Sequence, residues 1–256
     1  MVASSTPARC VRDTGRGRRR LWAAYLAAIH LLLLAAAGVA AVAWQDVRDP
    51  PDNFRREMLG HLARLDRNIG DGAALFLGSS SVHGLHVAEL APNAVRLGIG
   101  GERIDELRQR MAGYASLGQA RLVVLAIGYN DLRVHPPEVA LATYRELLSH
   151  IPSRVPLVVS GVQMGVANPS PGATHLFNAG IRDLCARRST CAYVDLGAVI
   201  DAPQASQPRR YYEDDGVHLN AEGYAAWKRL MRHAIERLGL DAPGPLPDAR
   251  TRQEAP

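Results

Sequence analysis

Five short apolar runs, each ending at or just before a glycine, constrain this chain more than any other feature. They occupy residues 73–77, 94–98, 122–127, 155–161 and 192–196. Runs this short, with little polar alternation, suit strands covered on both faces, as in a parallel sheet. Between or after them, residues 102–114, 137–150, 174–186 and 221–238 place apolar side chains at helical spacing. Strands alternating with amphipathic helices build a parallel sheet sandwiched between helical layers. Residues 71–240 are therefore expected to form one α/β domain with about five parallel strands.

The chain has 256 residues and a formal charge of +5, so where the charge lies matters. Six of its 30 basic residues and one of its 25 acidic residues fall in the first 20 positions, which leaves 24 of each in the remainder. The balanced remainder has no basic patch able to follow a phosphate backbone, and nucleic acid is excluded as a partner. Residues 21–45 carry no charge. As a helix they extend roughly 35 Å, enough to cross a bilayer core. Trp22 and Tyr25 stand at one end and Trp44 at the other, with the arginines before the span. That pattern reads as a signal-anchor, with residues 1–20 a cytoplasmic tail and the remainder on the extracytoplasmic, periplasmic side. A cleaved signal peptide is the alternative, since Ala41-Val42-Ala43 has the small-x-small form, although the apolar run is long for one.

Residues 46–70 read as a linker, with Pro50-Pro51, followed by an amphipathic helix bearing Phe54, Met58, Leu62, Leu65 and Ile69. Residues 241–256, rich in Pro, Ala and charge, read as a disordered tail. Cys10 falls in the cytoplasmic tail, and Cys185 and Cys191 lie six apart in the exported part. An oxidising compartment permits them to pair, but spacing does not fix the geometry, and two separate buried thiols are the alternative. No Cys/His spacing suggests a metal site, and no cofactor is implied.

Four stretches carry chemistry. In Gly78-Ser79-Ser80-Ser81 a strand passes into three serines, at the strand end where open α/β sheets place their ligands. Alone, this reads first as a serine-rich turn capping a helix. Gly98-Ile99-Gly100-Gly101 lets backbone N–H groups approach a ligand closely; it lacks the spacing of a dinucleotide loop. Gly128-Tyr129-Asn130-Asp131 closes the most apolar run and offers a side-chain amide to developing negative charge. Asp215 and His218, three apart before the last helix, can set a carboxylate against one imidazole nitrogen and leave the other facing a hydroxyl. His83 and His86 read as pocket-lining or surface groups.

Together, in this order, the stretches resemble the SGNH hydrolases, the GDSL esterase/lipase superfamily, over about residues 59–238. The resemblance implies a three-layer, flavodoxin-like fold and a carboxylic-ester hydrolase without a metal. It carries the nucleophile to Ser80, the base to His218 and its orienter to Asp215, with Ser81 as the fallback nucleophile. It also implies an oxyanion hole from the N–H groups of Ser80 and Gly98 and the Asn130 amide. Arg96, Asp131 and Val217 are expected on the substrate side. Two positions depart from the family pattern. Ser79 stands where an aspartate is usual, and Arg96 where asparagine is frequent, so Arg96 either charges the pocket or points to solvent. A small-molecule, lipid or glycan ester is the expected substrate. Acyl transfer to a surface glycan and an inactive carbohydrate-binding or scaffold domain are the alternatives.

Overall fold

The computed structural model describes residues 14–48, 52–166, 170–201 and 210–241. The basic stretch 1–13 with Cys10, the Pro50-Pro51 pair and the expected tail at 242–256 lie outside the described residues. The described chain forms two units, Met1–Arg55 and Arg56–Pro256. In the first, helix α1 spans Thr14–Arg48 and contains the expected span. Its segment Trp22–Ala40 is long and apolar enough to cross a membrane, and its leucines are exposed.

Helix α2, Asp52–Asp66, falls where the amphipathic helix is expected. Leu62 is buried, and Met58, Leu59 and Leu65 pack against the same core. Phe54, expected on the apolar face, is exposed. Asp66 fixes the far end of α2 by accepting from the backbone N–H groups of Ala115 and Ser116.

The sheet has five strands, all parallel: β1 Ala74–Gly78, β2 Ala94–Gly98, β3 Leu122–Ala126, β4 Leu157–Ser160 and β5 Cys191–Val194. Their order is β2-β1-β3-β4-β5. Chain direction across the sheet therefore reverses between β1 and β3, the switch point at which open α/β sheets bind ligands. The helices are α3 Ser80–His83, α4 Ile104–Met111, α5 Pro137–Ser149, α6 Pro171–Ala186, α7 Gly197–Ile200 and α8 Ala221–Arg237.

The two-residue period of a strand sorts its side chains into two cores. Leu75, Leu77, Val123, Leu125, Leu157 and Val159 join residues of α4, α5 and α6 on one face. Ala74, Phe76, Leu122, Val124 and Val158 join α8 and the segment after β1 on the other. Burial on both sides explains the unbroken apolar runs. Cys185 of α6 and Cys191 of β5 form a disulfide with Cα atoms 5.4 Å apart, which decides between the two readings of that pair.

Candidate active site

Gly78 ends β1 because nothing larger fits: a Cβ there would stand 2.1 Å from the Ala126 carbonyl oxygen. The chain then turns at once into α3, and the Ser79 N–H donates to Ala126 O at 3.3 Å. Three consecutive serines on this turn meet three environments. Ser79 is buried at the N-cap, with no side-chain cap hydrogen bond. Ser81 is buried too; its Oγ accepts from Gln163 Nε2 at 3.3 Å and its carbonyl from Tyr224 Oη at 3.0 Å. Ser80 alone meets an imidazole, with His218 Nε2 3.0 Å from its Oγ.

The imidazole comes from a tight hairpin before α8. Tyr212 and Leu219 form an isolated antiparallel bridge, and within it Glu213 N–H donates to His218 O at 2.8 Å and Gly216 N–H to Glu213 O at 2.9 Å. Asn220 closes the hairpin and starts the helix, its side chain accepting from Gly223 N–H and donating to the Arg210 and Tyr212 carbonyls. Inside the turn, Asp215 Oδ2 lies 2.5 Å from His218 Nδ1, while Oδ1 accepts from the N–H groups of Val217 and His218 at 2.8 and 2.9 Å. Foremost the imidazole hydrogen bond, then the two backbone donors, hold the Asp215 carboxyl down to about 2. It therefore stays ionised through the range in which an imidazole can act as a base. His218 and Asp215 are about half exposed, at 46% and 49% of side-chain area. The base and its orienter are thus open to solvent rather than buried in a slot, with Ser80 partly covered.

Gly98 presses against this turn from the edge strand. A Cβ there would stand 2.6 Å from the His83 backbone nitrogen and 3.0 Å from Ser79 O, while His83 Nδ1 donates to Gly98 O at 3.1 Å. His83 is thus a clamp on the glycine stretch, and His86 pairs with Glu89 at the surface. Asn130 reaches the same region from β3: one amide hydrogen goes to Glu102 O at 3.0 Å, and the second hydrogen on that nitrogen remains to be given elsewhere. Ser80 is the first residue of α3, so its N–H has no intrahelical acceptor. The three donors expected of an oxyanion hole therefore belong to elements that meet at the switch point.

Asp131, expected on the substrate side, is placed differently. It is 3% exposed, and both its oxygens accept from Ile104 N–H, at 3.2 and 3.1 Å. It anchors the start of α4 below the glycine stretch. Burial, only partly offset by those bonds, pushes its carboxyl up to about 6. Within α4, Arg110 pairs with the fully buried Glu102, donates to Leu97 O and Tyr114 Oη, and ties the end of β2 to α4. Arg96 is exposed on edge strand β2, close enough to Tyr224 to oppose the rise that burial imposes on that phenol. Val217 sits in the base hairpin and its carbonyl accepts from Gln163 Nε2 at 3.4 Å.

Sequence reasoning missed Gln163, which is buried and spans the serine turn and the base hairpin. It also missed Asp201 and Tyr212. Tyr212 Oη donates to Asp201 Oδ1 and accepts from Gly165 N–H, while Asp201 Oδ2 accepts from Met164 N–H at 2.8 Å. These residues hold the loop after β4 against the hairpin, and Val166 N–H donates to Gly216 O at 2.8 Å. No local motif signals any of them. Among the described residues, no cluster of three His, Cys, Asp or Glu side chains could hold a metal.

The fold is shared with solved hydrolases and a transferase. A GDSL-like lipase from Bacteroides thetaiotaomicron superposes with a TM-score of 0.59 at 17% identity, covering 70% of this chain and 97% of that one. A carbohydrate esterase of family 3 from Talaromyces cellulolyticus gives 0.53 at 15% identity, with 65% and 97% covered. The C-terminal catalytic domain of peptidoglycan O-acetyltransferase A from Streptococcus pneumoniae gives 0.54 at 15% identity, with 66% and 96% covered. At such identities these likenesses establish the fold alone. No curated protein matches the sequence. The model of the GDSL-like lipase/acylhydrolase family matches residues 69–226, more than half of the chain and every stretch from the serine turn to the base hairpin, and the chain belongs to that family.

Proposed function

We propose that the protein is an exported, membrane-anchored serine hydrolase that cleaves carboxylic esters through Ser80, His218 and Asp215. One observation carries the reading: a single imidazole stands 3.0 Å from Ser80 Oγ on one side and 2.5 Å from Asp215 on the other. Ser80 Oγ attacks the acyl carbonyl as His218 Nε2 takes its proton. The resulting oxyanion is met by the N–H groups of Ser80 and Gly98 and the Asn130 amide. Collapse of the tetrahedral species expels the alcohol, which takes the proton from His218. Water then attacks the acyl-enzyme with His218 again as base, releasing the carboxylic acid and restoring Ser80. Asp215 keeps the imidazole in the tautomer this requires.

The placement rests on two further observations. An apolar helix of membrane-spanning length follows an arginine-rich start, and the folded unit contains a disulfide, which favours an oxidising compartment. A second reading keeps the acyl-enzyme and replaces water by a sugar hydroxyl. The half-exposed His218 and Asp215, open to a large acceptor, favour it, as does the fold shared with the peptidoglycan O-acetyltransferase domain. Product analysis with added glycans separates hydrolysis from transfer. For the shared core of both readings, the full-length protein in detergent is treated with a fluorophosphonate probe and digested. Labelling at Ser80 supports the assignment; an unlabelled protein contradicts it and leaves a binding or scaffold domain.

A further inference from the structure

A buried ion pair lies behind two of the three expected oxyanion donors. Arg110 of α4 and Glu102, just before that helix, expose 6% and 0% of their side chains. Arg110 Nε and Nη2 donate to the two carboxylate oxygens at 2.6 and 2.7 Å, a fork meeting a fork. The same guanidinium reaches two further acceptors, Leu97 O at 2.6 Å through Nη2 and Tyr114 Oη at 2.8 Å through Nη1. Apolar side chains of like volume often replace a buried pair with no loss of stability. Stability alone therefore gives no reason for two charges at this place.

The partners of the pair supply one. Leu97 O and Gly98 N–H belong to the same peptide unit, which is planar and trans, so the two point in opposite directions. A guanidinium held on the Leu97 oxygen therefore sets the direction of the Gly98 N–H. It also polarises the unit, because a charged donor on the carbonyl makes the attached N–H a stronger donor. Strand β2 is at the sheet edge, and the Ile99 N–H goes to Gly78 O at 3.1 Å. Alternation along the strand turns the Gly98 N–H away from that ladder. The second link runs through Glu102 itself. Its backbone oxygen accepts from Asn130 Nδ2 at 3.0 Å, and its N–H donates to Ile99 O at 3.3 Å. The carboxylate that Arg110 grips thus belongs to the residue that orients the Asn130 amide.

We propose that Arg110 and Glu102 are positioning residues for the oxyanion hole, Arg110 aiming the Gly98 N–H and Glu102 the Asn130 amide. The inference rests on the hydrolase reading above and names what holds its donors in place. Donors of this kind act on charge that develops in the transition state. Their misalignment lowers kcat and leaves ground-state binding alone.

The experiment compares full-length wild type in detergent with the double variant Glu102→Met, Arg110→Met and with Arg110→Lys. The double variant removes both charges together, and the lysine keeps a cation for Glu102 but loses the fork that also reaches Leu97. Each is assayed on p-nitrophenyl acetate and on its thionoester, in which sulfur replaces the carbonyl oxygen. Sulfur is a weak hydrogen-bond acceptor, so the thionoester gains little from the three donors. Both variants should keep the far-UV spectrum of wild type, and the double variant its melting temperature. On the oxygen ester kcat should fall at least about tenfold with KM within about twofold, while kcat on the thionoester changes less than about threefold. Should one variant fail to fold, the other carries the same comparison. An unchanged kcat on the oxygen ester, an equal loss on both esters, or loss of the fold in both variants overturns the inference. None of those outcomes touches the hydrolase reading, which fails instead if Ser80→Ala still turns over p-nitrophenyl acetate.

Discussion

His218 Nε2 lies 3.0 Å from Ser80 Oγ, across 138 residues of chain. The two are held by separate devices. Ser80 follows a glycine that allows the turn beside β3, and His218 sits in a hairpin tied at both ends and in the middle. Gln163 is the side chain that touches both devices, through Ser81 Oγ and Val217 O.

Replacing Gln163 by alanine should therefore loosen the alignment without removing a reacting group. Neutral hydrogen bonds contribute about 1 kcal/mol each, so kcat should fall roughly tenfold with KM little changed. Steady-state kinetics on p-nitrophenyl acetate check this split. An unchanged kcat would show that Gln163 only fills space.

Gly98→Ala should be more damaging. Its Cβ would meet the His83 backbone nitrogen at 2.6 Å, and neither partner is a flexible side-chain end. The glycine stretch must move away from Ser80, and losing one oxyanion donor typically costs about 10²–10³ in kcat. Activity and circular dichroism measured together distinguish this from unfolding: the far-UV spectrum should be kept while turnover is lost.

Asp131 makes stability depend on pH in a defined direction. Its carboxyl is raised in the folded state, so between about pH 4 and pH 6 the folded chain keeps a proton that the unfolded chain has released. Stability must then fall as pH rises through that window, by up to about 3 kcal/mol, and level off above it. Urea unfolding of wild type and Asp131→Asn at several pH values tests this. The wild-type stability minus that of the variant should decline from pH 4 to pH 6; a flat difference would contradict the raised carboxyl.

The disulfide should contribute to stability rather than to chemistry. Closing a loop of six residues removes unfolded-chain entropy equivalent to about 2 kcal/mol. Replacing both Cys185 and Cys191 with serine should lower Tm by roughly 4–8 °C and leave kcat near wild type. A large loss of kcat at temperatures where the variant is folded would argue otherwise.

Much of this architecture was legible because it is local. Strand runs are short and end in glycine, so all five strands are found, with edges displaced by identifiable causes. β4 starts at Leu157 because Pro156, which has no N–H to donate, precedes it, and α6 starts early because Pro171 suits a first helical turn. The Asp215–His218 pair is equally local, three residues apart in one turn. What stayed hidden is nonlocal. Three adjacent serines look alike until Gln163 and His218 approach from far along the chain. Asp131 reads as part of a site motif until burial turns it toward Ile104. The exposure of Arg96 depends on β2 being the edge strand, which the runs alone do not specify.

The most direct test of the central claim is turnover of p-nitrophenyl acetate by full-length wild type, Ser80→Ala and Ser81→Ala under identical conditions. The account predicts that Ser80→Ala loses at least about 10³-fold in kcat, as removal of a serine nucleophile does, while Ser81→Ala keeps most of the activity. Undiminished turnover by Ser80→Ala would contradict it.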